Sequence, residues 1–120
     1  MDHGNLSEKF SLFSEHWQPK IIGSLNGQEV KIVKVQGVFP WHHHADLEEM
    51  FLVWRGRFRV EFCDHIVEMG PGDYAIVPRG VEHRTAAEGE AEILIFEPAD
   101  TRNTGNLRDD TFTAPGGVRL

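Results

Sequence analysis

The stretch PWHHHADLEEMFLVWRG, residues 40–56, sets three consecutive histidines before a short acidic cluster and an apolar run that stops at a glycine. On extended backbone, side chains two residues apart point to the same side. His42 and His44 can therefore converge on one point while His43 turns away. Glu49 opens the apolar run in phase with Phe51 and Val53, and a turn through ADLE can carry its carboxylate back beside the two rings. Glu48 is the competing carboxylate and lies out of that phase. A histidine triplet also fits a solvated turn, so the surrounding chain has to decide.

Outward from this stretch the pattern is one of short strands. KIIGSLNGQEVKIVKVQG, residues 20–37, carries two β-rich runs around Asn26-Gly27, a dipeptide that suits a tight hairpin because both residues tolerate positive φ. RFRVEF, residues 57–62, alternates cleanly, with Phe58, Val60 and Phe62 on one face and Arg57, Arg59 and Glu61 on the other. In YAIV, residues 74–77, the inward pair is either Tyr74 and Ile76 or Ala75 and Val77. AEILIFEP, residues 91–98, reads as the last strand of the core. Turn signals recur every eight to twelve residues and no long helical pattern intervenes, which predicts an all-β sandwich or barrel.

The chain has 120 residues, enough for one domain and too few for an appended DNA reader. We divide it into an arm over 1–19, a β core over 20–98 and a tail over 99–120. Leu6, Phe10 and Phe13 of the arm pack on the body or on a neighbouring subunit. The net charge of -7 argues against nucleic acid and against docking on anionic lipid. No apolar run approaches the ~20 residues of a membrane span. The start is polar and acidic, unlike a secretory leader, and the single cysteine suits a reducing compartment. A cytoplasmic location is expected. Cys63 itself reads as a small buried hydrophobe.

The other candidate ligand is His83, which closes GPGDYAIVPRGVEH, residues 70–83, after a strand and a Pro-Arg-Gly turn. A neighbouring strand could present it to the same centre as His42 and His44. Imidazoles with one carboxylate suit Fe, Mn, Ni, Cu or Zn rather than Ca or Mg, which prefer oxygen. With a divalent ion this set keeps a net charge of about +1, which favours an anionic or chelating substrate. Phe51, Val53, Phe58, Val60 and Tyr74 are candidate cavity-lining residues, each with plain core packing as its alternative. Trp41 could cover the mouth. Arg84 and Arg79 could bind a substrate carboxylate, or face solvent. No second carboxylate stands out as aimed at the cavity.

These spacings resemble the two motifs of the cupins, G(X)5HXH(X)3–4E(X)6G and G(X)5PXG(X)2H(X)3N. The first is matched by His42, His44, Glu49 and Gly56, with one residue fewer before His42. The second is matched by Gly72, Pro78, Gly80 and His83, with Ala87 in place of the closing Asn. The layout is similar to small single-domain cupins of the mannose-6-phosphate isomerase-like type. The resemblance implies a double-stranded β-helix, that is, a jelly-roll antiparallel barrel. It implies one divalent transition metal held by His42, His44, Glu49 and His83, and a homodimer. Cupins include dioxygenases, isomerases and binding domains. The expected function is a metal-dependent enzyme of dioxygenase-like or isomerase-like type acting on a small organic substrate. The alternative is a non-catalytic module that binds or senses a small molecule.

Overall fold

The computed structural model describes residues 1–120. It contains one short helix, α1 (Leu6–Phe10), and seven strands. The strands are β1 (Lys20–Leu25), β2 (Gln28–Val38), β3 (Glu49–Arg55), β4 (Phe58–Phe62), β5 (Ile66–Met69), β6 (Tyr74–Val77) and β7 (His83–Pro98). The expected hairpin joins β1 to β2: Asn26 and Gly27 have φ of 52° and 78°, the left-handed pair that matches strand twist.

Strand β7 organises the fold. Its second half pairs with β3 from Met50↔Phe96 to Arg55↔Glu92, and its first half pairs with β4 from Phe62↔His83 to Arg59↔Ala86. Strand β2 runs antiparallel along both halves, with a bulge between Val35 and Gly37. The ladder order β1-β2-β7-β3-β6, with β4 and β5 branching from β7, folds the sheet back on itself as a jelly roll. The ladder does not close: β5 and β6 keep one free edge each, while the outer edge of β1 takes the tail, Ile21 N–H donating to the Val118 carbonyl at 2.8 Å and Leu120 N–H to the Ile21 carbonyl at 3.1 Å.

The core lies between the two halves. Alternation along β7 sends Ala91, Ile93 and Ile95 inward, where they meet Val33 and Val35 of β2, Phe51 and Val53 of β3, and Phe58 and Val60 of β4. Gly56 makes the turn from β3 to β4 at φ 86°, and a Cβ there would meet the Glu90 carbonyl at 2.8 Å. The opposite face of the sheet is covered by the arm. Phe10 of α1 packs with Ile32 and Leu94, and Leu6, Phe13 and Leu120 surround them. The arm therefore packs on its own chain. Asn5 caps α1 by accepting from the Glu8 N–H at 3.0 Å.

Two expectations fail here. Tyr74 is 65 % exposed and Ile76 55 %, so Ala75 and Val77 are the inward pair and Tyr74 lines no cavity. Both faces of YAIV are apolar, so composition alone could not choose between them. Cys63 is exposed, in the turn after β4. The tail is anchored: Thr104 is fully buried and donates its hydroxyl to the Leu107 carbonyl at 2.5 Å.

Candidate metal centre

His42 and His83 face each other as a β-bridge, and each exchanges both backbone hydrogen bonds with the other at 2.9 Å. This pairing extends the β2–β7 ladder beyond the end of β2 and brings the two motifs into register. His44 follows two residues on, and its carbonyl accepts the Gly80 N–H at 2.7 Å. Glu49 enters from the first residue of β3. The four side chains are buried, and one ligand atom from each lies within 4.8 Å of all the others. Glu49 Oε1 is 3.5 Å from His44 Nε2 and 3.6 Å from His83 Nε2.

The residues fit a metal on two independent counts. His44 Nε2, His83 Nε2 and Glu49 Oε1 are buried with no hydrogen-bond partner, an arrangement that is costly unless something binds all three. The histidine tautomers also fit. His42 Nδ1 and His83 Nδ1 sit 2.9 Å from the carbonyls of Pro40 and Val81. Nδ1–H donates in each case, which leaves the Nε2 lone pair free to point inward, as in metal-ligating histidines generally.

Electrostatics agree. Burial pushes His42 down to about 4, with nearby His83 adding to this against a hydrogen bond to Pro40, so the ring stays neutral. Burial pushes the Glu49 carboxyl up, but the adjoining His44 and His83 imidazoles outweigh it and hold the group well below the usual carboxylate range. A neutral His42 ring beside the ionised Glu49 carboxylate is the protonation pattern a cation requires.

His43 behaves as the alternation requires. Its ring points out to Glu82 at 3.0 Å. Its backbone is gripped by the tail: His43 N–H donates to Asn106 Oδ1 at 2.8 Å, and Asn106 N–H returns to the His43 carbonyl at 3.0 Å. Gly105 packs against the same carbonyl at φ 59°, with no room for a side chain. Glu48 faces outward and pairs with Arg79 at 3.8 Å.

A cavity with about 430 Å³ of empty space, counted out to its open mouth, adjoins the cluster. Phe51 and Phe58 line it, whereas Val53 and Val60 lie behind it in the core. Arg84 does not reach it. Its guanidinium donates to Glu61 at 2.9 Å and lies 4.9 Å from the centre of the Trp41 ring. Trp41 is thus occupied with Arg84 and is not among the cavity residues.

The structure adds a second carboxyl, contrary to expectation. Glu97 is 1 % exposed, lines the same cavity as His42 and Glu49, and accepts from Lys31 Nζ at 2.8 Å. Burial, then the neighbouring Glu49 charge, push its carboxyl well above the usual range against the pull of Lys31. Alternation could have found it, because Glu97 is in phase with Ala91, Ile93 and Ile95. Trp17 and Asn103 of the arm and tail also line the cavity, and no local pattern marks either.

The jelly-roll sheet with a buried three-histidine, one-glutamate cluster defines a cupin. The Cupin domain family matches residues 29–97, and the chain belongs to it. A cupin-2 domain containing protein from Shewanella frigidimarina NCIMB 400 is 42 % identical, with a TM-score of 0.78, covering 79 % of this chain and 93 % of that one. Protein NMB1881 from Neisseria meningitidis is 28 % identical, with a TM-score of 0.74, covering 82 % of this chain and all of that one (100 %). YdbB of Bacillus subtilis is 32 % identical over 65 residues, 53 % of this chain, and the match spans 58 % of YdbB's length.

Proposed function

We propose that this cupin is a metal-dependent enzyme in which His42, His44, Glu49 and His83 hold a divalent transition ion beside a small-molecule cavity. The observation that carries this is the set of buried, unpartnered nitrogen and oxygen atoms converging on one point. Such an ion would supply Lewis acidity or redox chemistry. The chain's own residues do the rest. The carbonyls of Pro40 and Val81 fix two rings, Glu49 supplies the negative charge, and Trp17, Phe39 and Phe58 give the cavity apolar faces. Dioxygenase-like turnover is the first reading.

Glu97 favours a second, isomerase-like reading, because it is a carboxyl on the cavity that can hold or release a proton while Glu49 is engaged. One experiment separates the two readings, and both from a binding module. Untagged protein is analysed for metal, reloaded with Fe(II), and assayed for oxygen uptake and for substrate isomerisation over a small-molecule panel. Oxygen uptake supports the first reading and isomerisation without it the second. A ligand that binds and is never converted leaves only a binding module.

We also infer a homodimer that packs through the outer face of β6, where Tyr74 and Ile76 stand exposed beside the half-buried Met50 and Leu52. An isologous pairing would cover this face and its free strand edge. Sedimentation of the wild type and of Ile76→Lys tests it, with dimer and monomer the expected results. The exposed single cysteine fits the cytoplasmic location expected from composition.

A further inference from the structure

Trp17 holds a left-handed backbone conformation, with φ of 64°. A bulky aromatic residue adopts it only where its surroundings over-determine it. Three hydrogen bonds do so here. Its N–H donates to the Lys34 carbonyl at 2.8 Å, its indole N–H donates to the Gln36 carbonyl at 3.0 Å, and its carbonyl accepts from Asn103 Nδ2 at 3.2 Å. Asn103 is committed to the same corner: Nδ2 also donates to the Phe112 carbonyl at 2.8 Å, and Oδ1 accepts from the Ala114 N–H at 2.9 Å. The arm and the tail therefore lock together to hold one indole against the cavity.

The ring so held belongs to an aromatic series that ends at the cluster. Trp17 lies 4.8 Å from Phe39, and Phe39 lies 5.3 Å from His42 in an edge-on contact. Phe51 and Phe58 add further faces to the cavity. No Lys or Arg lines it. Lys31, the cation nearest Glu97, is bound to that residue. Apart from any ion at the cluster, the wall offers an anion the Glu49 carboxylate and no side-chain cation, and a polyol would leave most of its hydroxyls against hydrocarbon, at a cost in either case.

We propose that the cavity selects an uncharged, planar, largely apolar ring compound bearing a hydroxyl directed at the cluster, and that Trp17 sets this specificity by packing on the ring. The direction of the hydroxyl rests on the metal reading proposed above; the ring preference rests on the wall alone. Anionic substrates and sugar phosphates are thereby disfavoured.

The test uses full-length, untagged, Co(II)-substituted protein titrated in parallel with phenol, benzoate and mannose 6-phosphate. Calorimetry and the visible Co(II) absorption are the readouts. Phenol is expected to give a saturable isotherm, benzoate one about tenfold weaker and mannose 6-phosphate none. Trp17→Ala is expected to weaken phenol about tenfold and Trp17→Phe to restore most of that, with cobalt stoichiometry unchanged in both. Equal phenol affinity in Trp17→Ala, or tighter binding of mannose 6-phosphate than of phenol, overturns the proposal. Should Trp17→Ala fail to fold, the comparison of the three probes on the wild type decides. Failure to take up cobalt sinks the metal reading instead. In that event calorimetry of the metal-free protein decides the ring preference by the same order of affinities, and no phenol isotherm overturns it.

Discussion

His42 and His83 exchange both backbone hydrogen bonds at 2.9 Å, so the two motifs that carry the candidate ligands meet as one two-residue ladder. The imidazoles are thereby aligned by main chain before any cation binds. Their ring centroids stand 4.5 Å apart.

That alignment makes the histidines separable by mutation. His42→Ala and His83→Ala are expected to lower cobalt affinity by more than the ~10–100-fold typical of outer-shell changes, while His43→Ala stays near wild type. Competition with a chromogenic chelator measures this. Equal loss in His43→Ala would contradict the outward placement of that ring.

Acid should weaken the metal-free protein through His42. Its folded value of about 4 lies below the ordinary imidazole value of 6.5. The unfolded chain therefore binds the extra proton, and stability falls as pH drops from 6.5 towards 4, by up to ~3 kcal/mol from this residue. Urea midpoints at pH 7 and pH 4.5 measure the loss. It should shrink in His42→Gln, and an unchanged difference would discount the burial effect.

Lys31 and Glu97 form a buried pair at 2.8 Å. Glu97→Ala leaves the buried lysine with Glu29 at 3.7 Å and the Thr101 carbonyl at 3.5 Å and is expected to cost up to about 3–5 kcal/mol, whereas Lys31→Met combined with Glu97→Leu should recover most of it. Denaturant unfolding of the single and double variants tests this, and equal stability of all three proteins would show that the pair carries little weight.

The tail should matter to the centre although it supplies none of the four side chains. Asn106→Ala removes the acceptor for His43 N–H and is expected to cost about 1–3 kcal/mol, with Asn106→Asp milder because an acceptor stays. Gly105→Ala should be worse, because its side chain would strike the His43 carbonyl. Thermal melts and cobalt affinity should fall together; stable variants with normal affinity would mean that the corner is decorative.

Local spacing made much of this legible. The Asn26-Gly27 hairpin, the alternation of RFRVEF and the shared phase of His42 with His44 and of Glu49 with Phe51 follow from period-two geometry and turn residues within short stretches, whereas His83 joins the set only through the resemblance of its motif. Tyr74 was misread because a four-residue strand with two apolar faces carries no phase signal. Glu97 had the right phase in AEILIFEP, but a carboxylate at a strand end looks like solvent surface until its partner Lys31 is seen. Trp17 and Asn103 could not be read at all. They meet across 86 positions of sequence through backbone carbonyls, which leave no side-chain pattern.

Strand β7 begins at His83 and ends one residue after Glu97, so a single ladder carries both a candidate ligand and the second carboxyl. One residue inserted between Ala91 and Phe96 would swing Glu97 to the outside and leave His83 where it is. The two groups are thus divisible by indels, and descendants of this scaffold could gain or shed the acid without disturbing the histidines.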